Sequence, residues 1–192
     1  MVKRVGHLWE PLTSFNNLLA AAHESARRKR FEPAVAAFHF GLETELWRLH
    51  HELKNGTYVP GPYTEFYVHE PKKRMISAAP YRDRVVHHAL TRVLSPIFEP
   101  TFVTDSYACR VGKGTHAAVG RAQQFARRFR YVLKADVRKF FPSLDHQILN
   151  ERISRKIKDP HVLDLVRRLI EHSNAQEQIF HRFPGDDLFT AS

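Results

Sequence analysis

The chain has 192 residues, 43% hydrophobic and 26% charged, with a formal net charge of +10. That is room for one domain or one and a half, with enough apolar residues for a core, so disorder over most of the length is excluded. One cysteine, Cys109, excludes a disulfide framework and fits a reducing compartment. No apolar run approaches the ~20 residues of a membrane span, so the cytoplasm is the expected location, with no membrane partner. The charge excess points to a polyanion, nucleic acid before anionic lipid.

Residues 13–30 read as a helix with Leu18, Leu19, Ala22 and Ala26 along one side, ending in the basic run Arg27, Arg28, Lys29 and Arg30. Residues 32–53 read as a second helix. Its stripe is Val35, Phe38, Leu42, Leu46 and then Leu49 or Leu53. Asn55, Gly56, Pro60, Gly61 and Pro62 stop it. Residues 64–69 and 75–78 then read as two strands around a basic turn, Glu70 to Arg74, which makes a hairpin with a positive tip. Lys72, Lys73 and Arg74 on a stiff turn suit a triphosphate or a nucleic-acid backbone, arginine offering a bidentate fork. Lysines that keep an edge hairpin soluble account for the same residues.

Residues 83–97 carry Val85, Val86, Ala89, Leu90, Val93, Leu94 and Ile97, a helix face. Asp83 suits the helix dipole at its start, while Arg82 and Arg84 either touch phosphates or solvate that end. His87 and His88 are adjacent and point apart, which argues against a metal site on this helix. Residues 98–114 read as loop. Gly112, Lys113, Gly114 and Thr115 resemble a phosphate loop without its full spacing, so a glycine turn with a helix cap at Thr115 is the expectation. A backbone phosphate fits such an end. The helix is expected to run to Arg130.

A β-type run, Tyr131, Val132 and Leu133, follows and ends in Asp136. Phe140 and Phe141 come next, then a helix start at Pro142 and Ser143. A strand-tip carboxylate beside a bulky aromatic is what a two-metal polymerase uses to hold cations under an incoming nucleotide. An edge strand with an aspartate in its turn reads equally well from these residues. Arg121, Arg127, Arg128, Arg130, Lys134, Arg138 and Lys139 crowd this carboxylate, as a polyanionic substrate requires, or form a solvated helix face. Residues 144–157 and 162–172 read as helices split at Asp159 and Pro160. The remainder reads as loop or a short strand at 178–182. Gly185, Asp186 and Asp187 follow a poor leading strand and read as a polar turn.

In order, EFYVHEPKKRMISAAPYRDRVVHHAL, PIFEPTFVTDSYACRVGKGTHAAV and YVLKADVRKFFPSLDH resemble the first half of a bacterial reverse transcriptase. The likeness is to the group II intron, retron and diversity-generating retroelement type, and it spans residues 56–190. It implies an α+β fold: right-hand polymerase fingers plus a partial palm, preceded by a helical N-terminal arm. The implied units are residues 1–55 for the arm, 56–130 for the fingers and start of the palm, and 131–142 for the palm strand. Residues 143–192 would be fingers helices and the connection onward.

By this resemblance Arg74 grips the triphosphate of an incoming dNTP, assisted by Lys72 and Lys73. Asp136 is the first catalytic aspartate and ligates two Mg²⁺ ions, with the Val137 carbonyl beside it. Phe141 excludes a ribose 2′-OH. Tyr107 to Gly114 support the template side, and Arg82, Arg84, Arg110 and Lys113 are the candidate nucleic-acid contacts. The implied partners are an RNA template and a DNA or RNA primer. The family completes its site with a further helix and a YxDD turn that this sequence lacks, so the expectation is an incomplete and inactive RNA-directed DNA polymerase. A non-catalytic RNA-binding module of the same descent is the second reading. An RNA-dependent RNA polymerase using Asp186 and Asp187 is the third, and Phe141 argues against it.

Overall fold

The structure is a computed structural model that describes residues 4–69, 73–137, 140–141 and 143–172. The chain opens with a short helix, α1 (Trp9–Thr13), and α2 (Phe15–Ser25). Ser14 leaves helical geometry and parts α1 from α2, so the helix expected over residues 13–30 begins at Phe15 and ends at Ser25, the basic run falling in turns. The Ser14 side chain accepts from the Asn17 amide at 3.3 Å and caps α2. The expected second helix is two helices, α3 (Pro33–Phe40) and α4 (Leu42–Lys54), with Gly41 as the break. Pro33 starts α3, where its missing N–H costs nothing.

The apolar stripes decide what is buried. Leu18, Ala21 and Ala22 of α2, Val35 and Phe38 of α3, and Leu46, Leu49 and Leu53 of α4 enter one core. Val85, Val86 and Ala89 join it from the long α5 (Tyr81–Phe98). The periodic face of α5 is therefore real, with Leu90, Val93, Leu94 and Ile97 partly covered further along it. Asn17 ties α2 to its neighbours, donating to the Leu12 carbonyl at 2.9 Å and the Ala89 carbonyl at 3.1 Å.

Between α4 and α5 stands an antiparallel hairpin, β1 (Thr64–His69) and β2 (Lys73–Ala78), the only sheet among the described residues. Its base is pinned by Asp83. This carboxylate is almost fully buried; it accepts from the Tyr58 hydroxyl at 2.8 Å and the Gly61 amide at 2.7 Å. Burial, and next the hydrogen bond and charge of Asp83, hold the Tyr58 phenol protonated far above its ordinary range. A short 3-10 turn, Glu99–Thr101, follows α5 and a loop leads to α6 (Thr115–Arg128). Then come α7 (His146–Ser154) and α8 (Pro160–Glu171).

The two ends of the described chain meet. Val5 forms a parallel bridge with Ile157, its amide donating to the Lys156 carbonyl at 2.7 Å and its carbonyl accepting from Lys158 at 2.8 Å. Beside it the Asp159 carboxylate accepts from the Leu8 and Trp9 amides at 2.8 and 3.1 Å and from the Val162 amide at 3.4 Å. One side chain thus serves the N-terminal ends of α1 and α8. Burial pushes its carboxyl up, but the amide bonds from Leu8, Trp9, Val162 and His161 outweigh it and hold the group below the usual carboxylate range.

The strand expected at residues 131–136 is not formed. Residues 131–137 are exposed and carry no ladder. A strand needs a neighbour's backbone groups, and the hairpin does not reach this segment. The helix expected from Thr115 to Arg130 ends at Arg128, and the one expected from residue 144 begins at His146. The short strand expected at 178–182 lies outside the described residues. None of the described helices is long and apolar enough to cross a membrane.

Replacing Asp159 by alanine strands the amides at two helix starts and should lower unfolding stability by about 2–3 kcal/mol in urea titrations at neutral pH. A carboxyl depressed by folding stabilises above the unfolded pKa of about 3.9 and loses that effect as pH falls through its folded value. The two proteins should therefore converge in stability in strong acid. A gap that persists there removes the charge from the explanation. Tyr58→Phe, which leaves Asp83 one donor short, should cost about 1–3 kcal/mol in the same assay.

Candidate nucleic-acid interface

The hairpin register separates the residues that the sequence groups together. Val68 pairs with Arg74, Phe66 with Ile76, and His69 with Lys73. Side chains alternate along a strand. Arg74 therefore shares a face with Phe66, Val68 and Ile76, while Lys73 stands on the other face with Tyr67 and His69. Lys73 Nζ lies 4.2 Å from the centre of the Tyr67 ring, a cation–π contact on that second face. Lys72 lies outside the described residues. Both faces of the hairpin carry exposed apolar side chains, Phe66 and Ile76 on one and Tyr67 on the other. A two-stranded ribbon of this kind is marginal by itself.

Arg82 and Arg84 are already engaged. Arg82 pairs with Glu52 and lies 3.8 Å from Asp83, its guanidinium 5.3 Å from the Tyr58 ring centre. Arg84 lies 3.9 Å from Glu32 and 5.3 Å from the Tyr81 ring centre. Both are held against the base of the hairpin and the start of α5.

Arg110 and Lys113 organise the loop between α5 and α6. Arg110 donates to a Glu99 carboxylate oxygen at 2.6 Å and to the Val103 and Ser106 carbonyls at 2.8 and 3.2 Å. Lys113 donates to the Thr104 carbonyl and lies 5.0 Å from the Tyr107 ring centre. Asp105 closes the loop onto α6. It accepts from Arg121 through both oxygens, at 2.9 and 3.3 Å, and from the Tyr107 hydroxyl at 3.0 Å. The Arg121 bond, with that of Tyr107, holds the Asp105 carboxyl below its usual range. Gly114, at φ 127°, precedes α6 in a conformation that residues with a Cβ avoid. The cap expected at Thr115 falls one residue earlier, at Gly114. Sequence reading missed the Asp105–Arg121 clamp.

Asp136 and Val137 sit in the exposed segment before the aromatics, and Phe140 and Phe141 stack edge to face with centroids 5.3 Å apart. Phe141 borders a cavity of about 260 Å³ with Tyr63, His87, Leu144 and Leu169. The described residues contain no grouping of three or more histidine, cysteine, aspartate or glutamate side chains able to hold a metal. One carboxylate does not make the ligand set for a pair of Mg²⁺ ions, so these residues do not fit that pair. Asp186 and Asp187 lie outside the described residues.

Over 143 residues, 73% of its length, the chain is 24% identical to the group II intron-encoded protein LtrA of Lactococcus lactis subsp. cremoris, covering 24% of that protein. It is 28% identical over 146 residues to protein YkfC of Escherichia coli, covering 72% of this chain and 38% of that one. Nuclear intron maturase 1, mitochondrial, of Arabidopsis thaliana is 27% identical over 94 residues, 49% of this chain and 13% of the maturase. No family model matches. The chain thus spans well under half the length of these relatives. They bear out the resemblance read from the residues: a group II intron-encoded protein and an intron maturase are among the relatives of this chain.

Arg110→Ala should free the α5–α6 loop while leaving the helical core intact. Chymotrypsin should then cut near Phe102 and Tyr107 several-fold faster, with the melting temperature little changed. Equal cleavage rates would show that Arg110 does not hold this loop.

Proposed function

We propose that the chain is the fingers and first palm portion of an RNA-directed DNA polymerase. The ordered series of three motifs, together with relatives among intron-encoded proteins, carries this reading. In it, residues 1–55 form the helical arm, residues 56–130 the fingers and start of the palm, and residues 131–142 the first catalytic segment. Residues 143–192 lead onward from there. Arg74 grips the triphosphate of an incoming dNTP, with Lys72 assisting. The placement of Lys73 opposite Arg74 supports a second role for it, on a nucleic-acid strand passing the other face of the hairpin.

Phe141 bars a ribose 2′-OH, and Asp136 is the catalytic carboxylate, with Val137 next to it. RNA template, with DNA or RNA as primer, runs over the basic surface. Arg82, Arg84, Arg110 and Lys113 contribute through the shape of the loops they hold and through residual positive field. The cytoplasm is the proposed compartment.

The test is RNA-templated primer extension with dNTPs and Mg²⁺. The 192-residue chain alone should not extend. A chain that also supplies a YxDD turn should do so, losing activity with Asp136→Ala and gaining NTP incorporation with Phe141→Ala. Extension that survives Asp136→Ala overturns the catalytic assignment. A second reading, a non-catalytic RNA-binding module, is supported by an intron maturase among the relatives. It predicts RNA binding that weakens with salt and ignores Asp136→Ala.

A further inference from the structure

The basic run after α2 has no role in the reading above, and it borders a cavity. The turn of residues 26–32 brings Arg30 to a space of about 290 Å³ whose other walls are His23 of α2 and Val35 and His39 of α3. The volume is several times the ~30 Å³ share of a water molecule. The two imidazoles lie 5.9 Å apart, centre to centre.

The acids of this region are committed elsewhere. Glu24 pairs with Arg92, and Glu32 lies 3.8 Å from Lys29 and 3.9 Å from Arg84. Among the described residues no ion pair reaches Arg30, His23 or His39. His39 is also fixed in place: its Nε2 meets the Tyr81 hydroxyl at 2.8 Å, and that hydroxyl donates to the Ala22 carbonyl at 2.9 Å. The ring nitrogen is therefore the donor, and the imidazole can take up a second proton at Nδ1.

We propose that this cavity binds a phosphate-type dianion, held by Arg30 and the two histidines. Three cationic or cation-forming groups converge there with no counter-ion, and Arg30 argues against a metal ion in the same space. The bound group is a phosphomonoester, free or at the end of a nucleic acid. A phosphodiester offers one charge and two blocked oxygens and uses the three donors poorly.

Binding is tied to pH. Burial, and then the positive field of His23 and Arg30, lowers the pKa of His39, while the Ala22 carbonyl opposes this. The facing groups are His23 on α2, Arg30 in the turn and Tyr81 on α5, whose phenol burial keeps protonated. An anion reverses the field and draws a proton onto His39. Affinity therefore rises as pH falls from 8 towards 6, by up to about tenfold per unit for each proton taken up. It levels off where the ligand itself becomes a monoanion, near pH 6 for a phosphomonoester and about one unit higher for inorganic phosphate.

The experiment titrates the whole chain with inorganic phosphate at fixed ionic strength, following the histidine ring protons by NMR, with chloride as control. The expected result is saturable shifts of two histidines, tighter at pH 6 than at pH 8, and abolished in His23→Gln and Arg30→Gln. These residues are exposed, so the variants keep the core. His39→Gln is a third variant, judged only if its melting curve matches the parent's. Absence of saturation, equal response to chloride, or shifts unchanged in His23→Gln and Arg30→Gln would overturn the site. A short oligonucleotide with a 5′-phosphate should compete with inorganic phosphate better than the same one with a 5′-hydroxyl. Equal competition would refute the monoester class and leave an ordinary backbone contact.

Discussion

The buried Asp159 carboxylate sets the frame of this molecule. Its oxygens take amides from residues 8 and 9 at one end of the chain and from residue 162 near the other. Without such an acceptor, the starts of α1 and α8 would bury N–H groups with no partner, which costs more than a typical hydrogen bond returns. The bridge between Val5 and Ile157 extends the same join by two backbone hydrogen bonds. Gly6 stands in this join, where a Cβ would come within 2.7 Å of the Lys158 side chain and make that flexible chain shift. Closure of this join places α8, with Val162, Leu165 and Val166, on the core built by α1, α2, α3, α4 and α5.

A second buried carboxylate does for the hairpin what Asp159 does for the ends. Asp83 fixes Tyr58 and Gly61, the residues that lead into β1, and so sets the angle at which the hairpin leaves the core. The consequence is functional. A hairpin so anchored at its base can keep both faces exposed at its tip, with Arg74 on one and Lys73 on the other. Uncovered apolar side chains on such a ribbon are a surface for contact, since a free edge of this kind is otherwise a liability.

The helical half of the fold was legible because its signal is local. The periodic positions of α4 and α5 enter the core where the pattern puts them. The break at Gly41 was missed because it lies inside a continuous apolar stripe, which hides a change of axis. The segment from Tyr131 to Asp136 shows the opposite failure. Its β-type residues are present, but strand formation depends on a partner backbone that no local pattern supplies. The candidate site suffers from the same limit. Side-chain identity marked Arg74 and Asp136 as candidates, but only the start of β2 at Lys73, where a turn was expected, puts Lys73 and Arg74 on different faces.

The charge of the chain must therefore be divided before it is given a meaning. Arg82, Arg84, Arg110 and Lys113 looked like nucleic-acid contacts and Arg121 like part of a basic cluster around Asp136, and each is bonded within the protein or set close to a carboxylate. Moving the Arg82, Arg110 or Arg121 guanidinium to a phosphate would exchange one charged hydrogen bond for another and loosen the structure that it supports, so its net contribution to binding is small. Arg74 and Arg30 differ in kind, since no carboxylate competes for them among the described residues. A phosphate at either gains a partner without breaking one. In the proposed reading net charge draws a polyanion toward the whole molecule, and cations without an internal ion pair, Arg74 and Arg30 among them, are the ones free to hold it.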